Sequence, residues 1–103
     1  MHHVQIVLYQ YFGYFSKDSK NPSVLCTELD DGAILLDLDT KYYYTLNSTG
    51  LRIWQIIDEL KDPLEIAQRL VAEYEVDKVK AIKSVVKVIE KLEQEKLILP
   101  IKN

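Results

Sequence analysis

The sequence predicts an α+β domain in which three antiparallel strands precede three helices. Three observations carry that prediction. Ala33–Leu38 and Tyr42–Leu46 are dense in β-formers whose side chains divide between two faces with period two, the period of a strand. Apolar residues then recur at helical spacing from Leu51 to Leu92. Between the runs stand Asp-Gly, Asn-Ser-Thr-Gly and Asp-Pro, residues that start or stop elements for known stereochemical reasons. Strands grouped before helices are the α+β order; a parallel sheet would alternate them.

Composition sets the outer bounds. A chain of 103 residues is long enough for one small domain and too short for two. Its hydrophobic content of 48% is ample for one core. The formal charge of −3 argues against a general binder of phosphate backbones, which carries a positive excess. A single cysteine, Cys26, allows neither an intramolecular disulfide nor a multi-cysteine zinc site. The apolar run Val4–Phe15 is too short to span a bilayer and no basic region precedes it, so it reads as neither anchor nor signal peptide. The expectation is a cytoplasmic protein with no membrane contact.

Taken in order, Val4–Phe15 has strand-like composition, interrupted by Gly13, and Ser16–Pro22 reads as a polar loop. Residues 1–22 are therefore expected to be an N-terminal extension holding an extra strand or an exchanged arm, ahead of a domain over residues 23–100. Val24–Leu29 and Ala33–Leu38 flank an Asp-Gly step and should form a hairpin. Tyr42–Leu46, dense in β-formers, should pair with Ala33–Leu38 across the Asp39-Thr40-Lys41 turn. In Ala33–Leu38, Ile34, Leu36 and Leu38 share one face while Ala33, Leu35 and Asp37 share the other.

Asn47-Ser48-Thr49-Gly50 supplies capping chemistry for a first helix over Ser48–Leu60, with Trp54 as a core anchor. Asp62-Pro63 with Glu65 predicts a cap, a proline in the first turn and a capping box for a second helix ending near Tyr74. Asp77 caps a third helix over Lys78–Lys96. On that helix Val79, Ile82, Val85, Val86, Ile89 and Leu92 fill one side, and Ala81 and Val88 widen the apolar arc to about half the circumference. The arc exceeds what one small core commonly uses. Lys80, Lys83, Lys87 and Lys91 form a basic stripe opposite. Leu97–Pro100 should tuck back beside the third helix or the sheet. The whole is winged-helix-like.

Catalytic constellations are absent. No Gly-rich phosphate loop exists, and both histidines stand at the extreme N-terminus, away from any nucleophile in an ordered element. Asp30, Asp31, Asp37 and Asp39 flank the hairpins at a spacing that fits no calcium loop. The sequence therefore calls for no metal, no cofactor and no enzyme activity. What remains is an edge strand, Tyr42–Leu46, beside an over-wide apolar helix, which is the arrangement that accepts an extended peptide by strand addition. Two other readings stand beside it. The lysine stripe could serve a winged-helix nucleic-acid binder, against which acidity and the scarcity of arginine weigh. The aromatic N-terminus could hold a homodimer together, or Val4–Phe15 could cover the edge itself.

The run LLDLDTKYYYTLNSTGLRIWQII, followed by DPLEIAQRLVAEYEVD and VVKVIEKLEQEKLI, resembles the coenzyme-PQQ synthesis protein D (PqqD-like) family, whose members are also called RiPP recognition elements. The resemblance runs from Val24 to Leu99. It rests on an ordered set: Leu36-Asp37, the Tyr42–Leu46 strand, Leu46-Asn47-x-Thr49-Gly50, Ile53-Trp54, Glu65-Ile66 with Leu70 and Tyr74, and Leu92 with Leu97-Ile98. No single member of the set is specific; their order and spacing are.

The resemblance implies a domain of three strands before three helices that binds the leader segment of a ribosomally made precursor peptide. It would present that leader to a modifying or processing enzyme: a leader peptidase, a cyclase or a radical SAM enzyme. The leader would add as a strand to the third strand and rest against the third helix. Carried over by position, the groove is Tyr42, Tyr43, Tyr44, Thr45 and Leu46 facing Val79, Ile82, Lys83, Val86, Lys87 and Glu90. That flank is expected because Lys83 and Lys87 suit acidic leaders. The length implies a free-standing protein, and the Leu-Asn-x-Thr-Gly form looks closer to the lasso-peptide branch than to PQQ synthesis. The long N-terminal stretch departs from the family pattern.

Overall fold

A computed structural model describes residues 18–60 and 62–100. The expected strand over Val4–Phe15 lies outside the described residues. The elements run β1 (Asp18–Lys20), β2 (Val24–Leu29), β3 (Gly32–Asp37), β4 (Tyr43–Asn47), α1 (Ser48–Leu60), α2 (Pro63–Tyr74), α3 (Lys78–Gln94) and β5 (Ile98–Pro100). Strands β2, β3 and β4 form an antiparallel meander in that spatial order, and the three helices follow it.

The β2–β3 hairpin turns on Asp30 and Asp31, with Leu29 opposite Gly32. The glycine is there for space. Its φ is not positive, but a Cβ at Gly32 would overlap the Leu46 carbonyl oxygen of β4. The second turn is organised by Asp37. Its Oδ1 accepts from Asp39 N–H at 2.9 Å and Thr40 N–H at 3.3 Å, which satisfies a carboxylate that is only 4% exposed. Lys41 closes the turn at φ 69, in the left-handed region.

The inward face of β3 is the Ala33, Leu35 and Asp37 face, because all three are buried while Ile34 and Leu36 are half-exposed. Leu35 meets Ile53, Ile57, Ile66, Val85 and Ile89 in a single core that α1, α2 and α3 complete. Helix α1 packs on β3 and β4, and α3 packs chiefly on α2.

Each helix begins on a cap legible in the sequence. Asn47 Oδ1 accepts from Gly50 N–H at 2.8 Å, Asp62 Oδ1 from Leu64 N–H at 2.9 Å, and Asp77 Oδ2 from Lys80 N–H at 3.1 Å. The capping box expected at Glu65 does not form, because Asp62 N–H donates to the Leu60 carbonyl at 2.6 Å. Arg52 of α1 holds Glu73 of α2 through two bonds, Nε to Oε1 at 2.8 Å and Nη2 to Oε2 at 2.6 Å.

The stretch expected as a loop differs. Asp18–Lys20 pairs antiparallel with β5, Lys20 opposite Ile98. The pairing is reinforced at Asn21, whose N–H reaches the Leu97 carbonyl and whose Nδ2 reaches the Lys96 carbonyl. Lys20 N–H donates to Asp58 Oδ1 at 3.0 Å, and its ammonium sits 5.2 Å from the Trp54 ring centre. A polar segment thus becomes a strand because a tertiary partner supplies the ladder that its own composition does not predict.

Candidate functional site

Among the described residues, strand β4 is paired on one side only. Its ladder with β3 runs from Leu36–Tyr43 to Gly32–Asn47, and no described strand joins its other edge. The bond from Asp37 N–H to the Tyr42 carbonyl, 2.9 Å, sets the phase of that ladder. In an antiparallel pair, residues alternate between bonding the neighbour and facing away. Tyr44 and Leu46 therefore bond β3, and the N–H and C=O groups of Tyr43 and Thr45 face the open edge.

Helix α3 lies across from that edge. Between them is a groove of about 430 Å³, lined by Thr45, Leu46, Asn47, Thr49, Gly50, Ser84, Lys87, Val88, Lys91 and Leu92. Its floor is apolar, where Leu46 and Val88 pack against the core. Lys87 and Lys91 are exposed on its rim. A second depression of about 480 Å³ adjoins it through Thr49 and Ser84, with Leu70, Tyr74, Val76 and Ala81 in its wall and Lys80 among its lining residues.

One end of the groove is pinned. Tyr44 Oη donates to Glu95 Oε2 at 3.1 Å, and Glu95 also faces Lys91 Nζ at 3.5 Å. Removal from water, the bond to Glu95 and the negative charge of Glu95 all push the Tyr44 hydroxyl above the usual phenol range.

The residues expected from sequence fall into three groups. Thr45, Leu46 and Lys87 line the groove. Tyr44 bridges to the last turn of α3, and Tyr42 and Tyr43 stand at the open edge with 67% and 70% of their surface exposed. Val79, Ile82, Lys83, Val86 and Glu90 do not line it. Ile82 and Val86 are buried in the core, while Val79, Lys83 and Glu90 are exposed. The reason is the packing of α3 on α2, which draws in the Ile82 and Val86 side and turns Ser84, Val88 and Lys91 towards β4.

The groove is lined in addition by Ser84, Lys91 and Leu92, and by Asn47, Thr49 and Gly50 at the start of α1, none of which the sequence reading placed in it. Their signal was the spacing Ser84, Val88, Lys91, which is i, i+4, i+7 on one flank. Val88 at the margin of the apolar arc was its only apolar member, and a polar serine above it concealed the stripe. Among the described residues no group of His, Cys, Asp and Glu could hold a metal ion. None of their helices is long and apolar enough to cross a membrane. Cys26 is half-buried on β2, and burial followed by the nearby Glu28 charge pushes its thiol up, away from the reactive thiolate.

A three-stranded antiparallel sheet followed by three helices, the last of which faces the outer edge of β4 across a partly apolar groove, defines a small α+β recognition domain. The model of the coenzyme PQQ synthesis protein D (PqqD) family matches residues 32–98, and the chain belongs to that family. Two solved structures are similar. One is TbiB1 in complex with the TbiA(beta) leader peptide, at 29% identity and a TM-score of 0.71, covering 82% of this chain and 99% of that one. The other is lasso peptide synthetase B1 complexed with the leader peptide, at 28% identity and a TM-score of 0.72, covering 82% of this chain and 100% of that one. No curated protein matches.

Proposed function

We propose that this protein binds the leader segment of a ribosomally made precursor peptide by strand addition to β4, with leader side chains seated against α3. The single observation that carries the reading is the edge of β4 that no described strand pairs, set across the groove from Ser84, Lys87, Val88 and Lys91. The two similar chains were both solved with leader peptides. An extended peptide on this edge satisfies the outward N–H and C=O groups of Tyr43 and Thr45, which supplies affinity with little regard to sequence. Alternate side chains then enter the groove, where Leu46 and Val88 select apolar ones and Lys87 and Lys91 favour acidic neighbours.

The role is non-catalytic: the bound leader holds the rest of the precursor near a modifying or processing enzyme. The lasso-peptide pathway is the favoured setting, since one similar chain is a lasso peptide synthetase component. Titration of the purified protein with a synthetic leader, followed by Trp54 fluorescence or calorimetry, tests the reading. Saturable binding that is lost on shuffling the leader sequence supports it; equal binding of leader and shuffled peptide sinks it.

A further inference from the structure

The sheet has a face that the helices do not use. Helix α1 packs on β3 and β4, and it does so from the Leu35 side. On the other side the register sets Leu25, Leu36 and Tyr43 in one cross-strand row and Thr27, Ile34 and Thr45 in the next. Leu25 is 52% exposed and Tyr43 70%, and Leu29 and Leu38 extend the exposed surface at either end. None of these positions holds a charged side chain. An antiparallel sheet that turns one face to water ordinarily places polar residues on it. An uncharged, leucine-rich face marks a contact surface.

We propose that this outer face docks the enzyme that acts on the bound precursor, through an apolar, uncharged surface of that enzyme, and that the bound leader completes the docking surface. The inference rests on the leader adding to β4. Size and position select the occupant. Three strands about 4.8 Å apart and five residues long cover about 250 Å². A complex that holds by itself hides about 800 Å² on each partner. A second copy of this chain, meeting only this face, would gain too little to stay bound. A partner already held by the same precursor needs far less contact, because tethering raises its local concentration to about the millimolar range. The enzyme that works on the precursor is such a partner.

Position agrees, because the outer face continues into the β4 edge. Tyr43 and Thr45 present their side chains to the face and their N–H and C=O groups to the edge. In an added antiparallel strand, residues opposite Tyr43 and Thr45 place their side chains on that same face, while those opposite Tyr44 and Leu46 turn into the groove. The leader therefore lengthens both cross-strand rows by one side chain each, and the surface that the enzyme meets is larger when the leader is present. Helix α3 lies on the opposite side of the sheet, so an enzyme on the outer face leaves the groove unobstructed. The other exposed apolar group, Tyr74, Val76 and Val79, stands among Lys78, Lys80 and Lys83 and lacks this uncharged character.

The double variant Leu25→Lys with Thr27→Lys tests the proposal by charging β2, at the sheet margin away from the β4 edge. Its affinity for a synthetic leader should match the parent within twofold. In a reaction of full-length precursor with the enzyme that processes it, supplied below saturation, the initial rate should fall at least tenfold and recover as enzyme concentration rises. Binding of the parent to that enzyme, immobilised, should tighten at least tenfold when leader is added, and the double variant should lose the gain. Gln68→Lys with Ala72→Lys adds the same charge at exposed positions of α2 and should behave as the parent. An unchanged processing rate in the Leu25/Thr27 variant overturns the proposal, as does an equal loss in the α2 variant. A lowered leader affinity places these residues in the leader site, and a lowered unfolding midpoint assigns the face to packing within this chain. A dimer in sedimentation that the double variant dissociates assigns it to a second copy. Each of these also overturns it. Absence of leader binding by the parent sinks the strand-addition reading and this one together, an outcome distinct from normal leader affinity with normal processing in the variant.

Discussion

Tyr44 Oη donates to Glu95 Oε2 at 3.1 Å across 51 positions of sequence. This bond ties β4 to the last turn of α3 and so sets one end of the groove between them. Tyr44→Phe removes the bond and keeps the ring. The urea midpoint should fall and leader affinity should drop by a few fold, with the fold intact by circular dichroism. The same contact gives an alkaline limb. The folded state raises the Tyr44 pKa, so its contribution is complete below about pH 10, the unfolded value, and is lost as pH rises through the folded one. Loss of stability above pH 10 should be shallower in Tyr44→Phe than in the parent; identical curves would show that the bond contributes nothing.

Binding by strand addition should depend on the outward backbone of β4. Thr45→Pro deletes an N–H that β3 does not use, and proline is tolerated on an edge strand in that orientation. Leader affinity should weaken at least tenfold, about 1.4 kcal/mol, while thermal unfolding stays cooperative. Val88→Asp, on the opposite wall, should weaken it comparably. Normal leader binding by both variants would place the site elsewhere.

Charge on the rim should act mainly on association. Lys87→Glu should slow the on-rate for an acidic leader and flatten its dependence on ionic strength, with a smaller effect on the off-rate. Stopped-flow mixing at two salt concentrations reads this directly. Lys83→Glu, one turn away and outside the groove, should slow the on-rate less than Lys87→Glu and leave the off-rate unchanged.

The acid limb of stability should trace to the α1–α2 clamp. The hydrogen bonds from Arg52, with its charge, hold the Glu73 carboxyl below the usual carboxylate range against a smaller opposing effect of desolvation. A depressed folded pKa contributes stability above the unfolded value, about 4.3, and loses it as pH falls through the folded one. Denaturation midpoints measured between pH 7 and pH 3 should therefore converge for Arg52→Gln and the parent at the acid end and separate near neutrality.

Two backbone positions should respond in opposite senses. Gly32→Ala drives a Cβ into the Leu46 carbonyl, and parting β3 from β4 should destabilise by about 1–3 kcal/mol and weaken leader binding as β4 shifts. Glu75→Gly relieves a non-glycine residue at φ 52 after α2 and should stabilise by about 1 kcal/mol. Chemical denaturation of the two variants gives both signs.

Much of this was legible from local chemistry. The meander, the three helices and their Asn47, Asp62 and Asp77 caps follow from alternation, helical spacing and side-chain oxygens that bond the next few amides. These interactions span only a few residues, so they are written in the order of the residues. The strand half of the groove was legible for the same reason, since Tyr43–Asn47 ends the meander and an end strand has an open edge.

Tertiary packing decided what local pattern leaves degenerate. An alternating strand has two faces, and β3 buries Ala33, Leu35 and Asp37, not the more apolar Ile34 and Leu36. The Asp37 carboxylate is needed for the turn, and the small Ala33 belongs to the face that α1 covers. An amphipathic helix wider than its contact can roll to either flank, and α3 rolls onto α2, burying Ile82 and Val86 and presenting Ser84, Val88 and Lys91 to β4. The β1–β5 pair, whose strands are separated by most of the chain, exists only once both ends of the domain are in place. Sequence by itself determined the meander and the three helices, because tight turns, caps and helical spacing act between near neighbours. Only the tertiary structure decided which faces they share, because that energy belongs to contacts between residues that the chain does not place side by side.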